Sequence, residues 1–312
     1  MKIAILEDYQ DAVRHLECYG KLAGHDVRVY ADVATTEALA QRLADVDALV
    51  LIRERTRVNE AFLRLAPRLK WISQTGRLSG HVDLQACEVR SIRVLEGVGS
   101  PNAPAELTWS LVLAATRRVA LEAERLRHGR WQTTVGRTVR GRTLGILGYG
   151  KIGRIVAGFG RAFGMNVVAW GREDSRARVL ADGIEFASTR ERLLETADIL
   201  SVHLRLSTET RGCIQLSDLQ RMKSDALFVN TSRAELLEPG ALVAALRSGR
   251  PGFAAVDVYE EEPVLDGRHP LLEMDNVLCT PHLGYVERDS YELYFATAFD
   301  NLLNAANEHA RA

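Results

Sequence analysis

The sequence predicts an α/β fold built from two domains, each a parallel sheet covered by helices. Three observations predict it. The 312 residues suit two domains of the usual ~100–200 residues. Short apolar runs alternate with helix-period stretches almost throughout, which is the pattern of parallel strands joined by helical crossovers. One such run, residues 143–147, closes directly on the glycine turn Gly148-Tyr149-Gly150-Lys151-Ile152-Gly153.

Taken from the N-terminus, strand-length apolar runs fall at residues 2–6, 27–30, 48–52, 70–73 and 92–95, with helical stretches at 36–43 and 59–65 between some of them. After Pro101-Asn102-Ala103-Pro104 a long helix is expected over 105–128, a spine between the domains, with Leu107, Leu111, Ala114, Ala115 and Val119 on related faces. Residues 131–142 are the clearest exposed connection, and the glycine turn then opens the second domain. A helix over 151–163 ends at Gly164 before a strand at 166–170, and further strands are expected at 199–202, 227–230, 253–258 and 277–280. A final helix over 287–308 returns to the first domain.

The glycine turn is a dinucleotide site by its mechanics. Gly148 permits the bend out of the strand, Gly150 lets backbone approach a pyrophosphate, and Gly153 lets the next helix pack close to the sheet. The phosphates then meet the free N–H groups of that helix, around Tyr149, Lys151 and Ile152. The strand before it and the helix and strand after it supply the context that the motif requires.

Composition narrows the class. Hydrophobic residues make up 46% of the chain, and forty basic against forty-one acidic residues leave a net charge of -1. There is no overall bias toward nucleic acid or membrane, neither of which is expected as a partner, so an anionic small molecule must be met by local arginines. Cys18, Cys87, Cys213 and Cys279 lack metal or C-x-x-C spacing and are expected to be reduced and buried. The start, Met1-Lys2-Ile3-Ala4-Ile5-Leu6, lacks the design of a signal peptide, so a cytoplasmic setting is expected. No apolar run reaches the ~18 residues of a membrane span.

Several separated segments carry a resemblance in the same order. They are the glycine turn, residues 202–210 with His203, Val229-Asn230-Thr231-Ser232-Arg233, Asp257-Val258-Tyr259-Glu260-Glu261-Glu262-Pro263, and Thr280-Pro281-His282-Leu283-Gly284. Over nearly its whole length the chain resembles the D-isomer-specific 2-hydroxyacid dehydrogenase family. Residues 100–109 are most similar to its phosphoglycerate-dehydrogenase-like branch. The resemblance implies two Rossmann-like domains, with a dinucleotide-binding domain at 105–283 inserted into a substrate domain formed by 1–104 and 284–312. A cleft between such domains can close and exclude water. The resemblance also implies a homodimer, with the helix over 105–128 as a plausible contact.

The activity implied is reversible reduction of a small 2-oxo acid to its D-2-hydroxy acid by a nicotinamide. Arg233 would anchor the carboxylate and polarise the carbonyl, work that suits its planar fork. His282 would be the acid/base group, and Glu262 would fix its tautomer and favour its protonated form. No metal is needed. Thr231, Asp257 and His203 fall to the cofactor side, His203 as a residue that shapes the cofactor loop. On the substrate side the family uses backbone N–H groups of a glycine-containing loop, here residues 74–83 with Gly76, Arg77 and Leu78, with Arg53 as an additional positive group.

Departures from the family pattern mark an atypical pocket. Ala234 stands where glycine is usual, Glu238 four residues further on follows Leu236-Leu237, Arg205 replaces a common proline, and Tyr285 replaces a small residue, either narrowing the pocket or binding substrate. At the end of the second cofactor-domain strand Gly171 occupies the place of the acid that holds an NAD ribose, and Arg172 follows it. NADP(H) is therefore favoured over NAD(H). The competing assignment has Arg172 over adenine or in solvent and Glu173 on the ribose. The functional alternative from another class is a nicotinamide-sensing, corepressor-type binding protein, against which Arg233, Glu262 and His282 argue. The acid itself stays open among glyoxylate, hydroxypyruvate, 3-phosphohydroxypyruvate and larger 2-oxo acids.

Overall fold

The computed structural model describes residues 1–311. The chain divides into two compact units, Met1–Ser100 with Val286–Ala312, and Pro101–Tyr285. These limits lie a few residues from the expected 104/105 and 283/284 for a local reason. Residue 101 is already the N-cap of the first helix of the second unit, and Gly284 N–H is bonded to Asp257 within that unit.

In the first unit, β1 (Lys2–Ile5), β2 (Asp26–Val29), β3 (Ala48–Leu51), β4 (Trp71–Gln74) and β5 (Arg93–Leu95) form a parallel sheet in the order β2-β1-β3-β4-β5. Strands β3 and β4 are buried along their whole length, as parallel strands covered on both faces must be. The helices α1 (Thr36–Leu43), α2 (Glu60–Leu65) and α3 (Leu84–Val89) each start on a side-chain cap. Thr35, Asn59 and Asp83 accept the N–H of Ala38, Phe62 and Ala86, satisfying a donor that the first turn leaves unpaired. The C-terminal helix Arg288–Arg311 packs on β4 and buries Phe295, Phe299 and Leu302.

In the second unit, β6 (Thr143–Leu147), β7 (Asn166–Trp170), β8 (Glu185–Phe186), β9 (Ile199–Val202), β10 (Leu227–Asn230), β11 (Phe253–Val256) and β12 (Val277–Cys279) are all parallel, in the order β12-β11-β10-β9-β6-β7-β8. Between them run α4 (Asn102–Arg117), α5 (Val119–Arg127), α6 (Lys151–Ala162), α7 (Glu173–Ala181), α8 (Arg190–Thr196), α9 (Leu216–Leu219) and α10 (Ala241–Arg247). Alternate strand residues face two cores. Ile146, Ile199, Val229 and Ala255 lie with Trp109 and Val156 on one side, and Leu147, Leu200, Phe228 and Ala254 lie with Leu194 and Leu246 on the other. The strand order reverses direction between β6 and β9, and open α/β sheets bind ligands at the strand ends beside such a switch.

The long helix expected over 105–128 is two helices. Arg118 sits at φ 55, and α4 ends before it. Neither Gly nor Pro marks the break. The Thr116 carbonyl is instead bonded by the Arg137 N–H of the returning segment, and the Arg118 guanidinium lies over the Phe253 ring and donates to the Asp275 carbonyl. The expected strands at 253–258 and 277–280 stop at Val256 and Cys279, since the chain turns there to carry the site. All four cysteines are free. Cys18 and Cys87 are buried as expected, but Cys213 and Cys279 are only half-buried. Among the described residues no helix is long and apolar enough to cross a membrane.

Candidate active site

The dinucleotide turn is built by steric demand. Leu147 and Val202 are paired at the ends of β6 and β9, and the His203 N–H donates to the Leu147 carbonyl. Gly148 has φ +100, and a Cβ there would stand 2.8 Å from the His203 carbonyl; a Cβ on Gly153 would stand 2.4 Å from the Gly148 oxygen. Nothing lies within 4 Å of a Cβ built on Gly150. Gly150 is the N-cap of α6, with neither a side-chain cap nor an acidic residue in the first turn. Lys151, Ile152 and Gly153 therefore present a helix N-terminus of the kind that holds phosphate, and these residues fit a dinucleotide. Tyr149 is buried and donates its hydroxyl to Asp182, so its side chain braces the turn while its backbone lines it.

His203 packs against this turn. Burial pushes its imidazole down to about 4, and its Nε2 is 2.9 Å from Ser201 Oγ. It is thus a neutral group packed beside the turn. At the end of β7, a Cβ on Gly171 would meet Ser175 Oγ at 2.8 Å, because Ser175 folds back to donate to the Arg172 carbonyl. Arg172 is the N-cap residue of α7 with its side chain 88% exposed, 3.6 Å from Asp174. Glu173, the competing ribose acid, is 3.3 Å from Arg176.

The proposed catalytic residues follow three neighbouring strands. After β10, the Asn230 side chain ties the loop, donating to the Arg233 carbonyl and accepting the Ser232 N–H, and Arg233 Nη1 donates to the Ser232 carbonyl. Thr231 Oγ1 is 2.7 Å from Thr108 of α4, whose hydroxyl also reaches the Pro104 carbonyl. After β12, His282 sits at φ 52, a left-handed conformation rare for a residue with a side chain and a feature that clusters at functional sites. Its Nδ1 is 2.5 Å from Glu262 Oε2, the carboxylate coming from the loop after β11. Tyr285 places its ring edge on His282, with centroids 5.3 Å apart at 75°.

Asp257 has a structural task that the sequence did not show. Fully buried, it accepts from Thr280 Oγ1 at 2.6 Å, Leu283 N–H at 2.7 Å and Gly284 N–H at 2.9 Å. It thereby grips the turn on both sides of His282. Burial pushes its carboxyl above the usual range despite those bonds.

In the first unit, the β4 loop forms around Arg53. Gly76 has φ +133, and a Cβ there would overlap the Arg53 guanidinium at 1.8 Å. Arg53 itself is at φ 51, its N–H bonded to Thr75 Oγ1 and its Nη1 to the Thr75 carbonyl. Two of the loop N–H groups expected to face a substrate have acceptors inside the unit. Gly76 N–H bonds the Gln74 carbonyl, and Leu78 N–H bonds Glu96 Oε1 at 2.7 Å. Glu96, which no sequence pattern singled out, thus stands as a carboxylate on this loop, while Arg77 is exposed.

The chain is similar to known proteins in sequence and in structure. Residues 109–284 match the NAD binding domain of the D-isomer specific 2-hydroxyacid dehydrogenases. The glyoxylate reductase of Aeropyrum pernix is 38% identical over 86% of this chain and 82% of its own length. The D-3-phosphoglycerate dehydrogenase of Methanocaldococcus jannaschii is 34% identical over 88% of this chain but only 52% of its own, so the chain spans about half of that relative. An oxidoreductase structure from Ralstonia solanacearum superposes with TM-score 0.96 at 56% identity, covering 98% of this chain and 94% of that one.

Proposed function

The chain belongs to the D-isomer-specific 2-hydroxyacid dehydrogenase family, and we propose that it interconverts a small 2-oxo acid and the D-2-hydroxy acid, with Arg233, Glu262 and His282 as its catalytic residues. The observation that carries this reading is the His282–Glu262 pair, 2.5 Å apart on two adjacent strand ends of a unit that also holds the dinucleotide turn. The relatives above are named as oxidoreductases, which lends the corepressor-type alternative no support.

A bound nicotinamide supplies or takes the hydride at the substrate carbon. Arg233 offers paired donors to the carboxylate and the carbonyl oxygen. With Nδ1 committed to Glu262, His282 keeps Nε2 for that oxygen, giving a proton in reduction and taking it back in oxidation. Glu262 is oriented in turn by the Tyr259 N–H on its Oε1. Arg53, Arg77 and Tyr285 are further substrate-binding candidates, whereas the Gly76 and Leu78 N–H groups are already bonded to Gln74 and Glu96. Reduction needs protonated His282 and oxidation needs it neutral, so reduction falls at alkaline pH and oxidation at acid pH. Removing the neighbouring negative charge disfavours the protonated ring. Glu262→Gln is therefore expected to move the alkaline limb of reduction to lower pH; an unmoved limb would show that this carboxylate does not partner the histidine.

NADP(H) is the favoured cofactor. The absence of a carboxylate at Gly171 removes repulsion toward a 2′-phosphate, and the exposed Arg172 is available for a charge-assisted bond to it, about 1.5–3 kcal/mol or roughly 10–100-fold in affinity. Arg172→Ala should lower kcat/KM for NADPH with little change for NADH, and a wild-type preference for NADH would reverse the assignment. We also propose a homodimer with residues 105–128 as its contact, where Val119 and Leu126 are exposed. Sedimentation equilibrium should give twice the 34.6 kDa chain mass; a monomer at micromolar concentration would dismiss it.

A further inference from the structure

Tyr259, on the loop that leaves β11, is bonded both to Glu262 and to the turn that carries His282. Its backbone N–H donates to Glu262 Oε1 at 2.9 Å, and its hydroxyl donates to the Thr280 carbonyl at 3.0 Å. That same carbonyl accepts the His282 N–H at 3.1 Å, closing the tight turn in which His282 takes its positive φ. The far side of Thr280 is held as well, by its hydroxyl on Asp257. The Tyr259 ring is itself fixed. It is buried and meets the His269 ring edge-on at 5.0 Å, while His269 Nε2 is bonded to Glu260 and its Nδ1 accepts the Leu271 N–H.

We propose that Tyr259 is a positioning residue for the acid/base pair, setting Glu262 through its backbone and the His282 turn through its phenol. The inference rests on the assignment of His282 and Glu262 as that pair. A phenol on the Thr280 carbonyl leaves the oxygen a partner besides the His282 N–H, so the turn does not depend on one bent bond. Without it the Thr280 carbonyl loses one of its two donors, and the turn holds His282 less firmly against Glu262. The titratable groups packed around Tyr259 are Asp257, Glu262, Cys279 and His269, and burial among them pushes its phenol up. It therefore stays a donor across the pH range in which the histidine works.

Tyr259→Phe keeps the N–H and nearly all of the ring volume and removes only the hydroxyl, so it separates positioning from packing. The variant should lose about ten-fold in kcat, short of the ~10²-fold that a 1 Å misplacement can cost. The cofactor Kd should be unchanged, and the alkaline limb of reduction should move to lower pH, as in Glu262→Gln. A kcat and a limb indistinguishable from wild type, with His282→Gln crippled in the same assay, overturn the inference and leave the acid/base pair standing. Near-normal turnover by His282→Gln overturns the pair and this inference with it. Should the Phe variant fail to fold by circular dichroism, 15N NMR of the wild-type histidines decides. A single Nδ1-protonated tautomer of neutral His282 supports the clamp, and exchange between both tautomers contradicts it.

Discussion

His282→Gln is expected to lower kcat by about 10²–10⁴, the usual worth of a positioned general acid, while cofactor affinity stays unchanged. Glutamine retains a polar side chain but has no proton to exchange at neutral pH, so the loss reports proton transfer rather than bulk. The hydrogen bond to Glu262 leaves only the Nε2 edge of the ring for substrate, and an imidazole so placed can give or take a proton there. The cofactor side of the unit is built from the Gly148 turn and α6, which this substitution does not touch. Turnover near the wild-type rate with a good 2-oxo acid would remove His282 from the chemistry.

Arg233→Ala is expected to act differently, lowering kcat/KM by about 10²–10³. Two charge-assisted bonds lost from a carboxylate and a polarised carbonyl come to roughly 3–4 kcal/mol. Much of the loss should appear as raised KM, because the carboxylate contact exists in the ground state as well as in the transition state. Arg233→Lys should recover only part of it, since an ammonium cannot reproduce the planar fork. Unchanged KM and kcat/KM in Arg233→Ala, measured against the same acid, would show that the substrate is anchored elsewhere.

The parts of this fold that local pattern controls were legible from sequence. The strands at 166–170, 199–202 and 227–230 and the helix at 36–43 lie where apolar runs and helical periodicity place them. The break at Arg118 was not legible. It coincides with the Arg137 N–H bonding the Thr116 carbonyl, a contact that no residue near 118 announces. The same division holds at the site. The glycine turn is a local motif with its own mechanics, but His282 and Glu262 are 20 residues apart in the chain, and only the ordered resemblance suggested their pairing. The grip of Asp257 on the His282 turn, the Tyr259 clamp and the Glu96 carboxylate on the Leu78 N–H depend on the path of loops after their strands. Alternation and spacing carry no record of such paths.

A nicotinamide and a 2-oxo acid are proposed to react here under His282. The most direct measurement follows NADPH and NADH oxidation with glyoxylate, hydroxypyruvate, 3-phosphohydroxypyruvate and larger 2-oxo acids, with the configuration of each chiral product determined. Turnover of at least one of these acids, giving the D-2-hydroxy acid wherever the product is chiral, is the expected result. Cofactor that binds but is oxidised by none of them, or a product of L configuration, would contradict it.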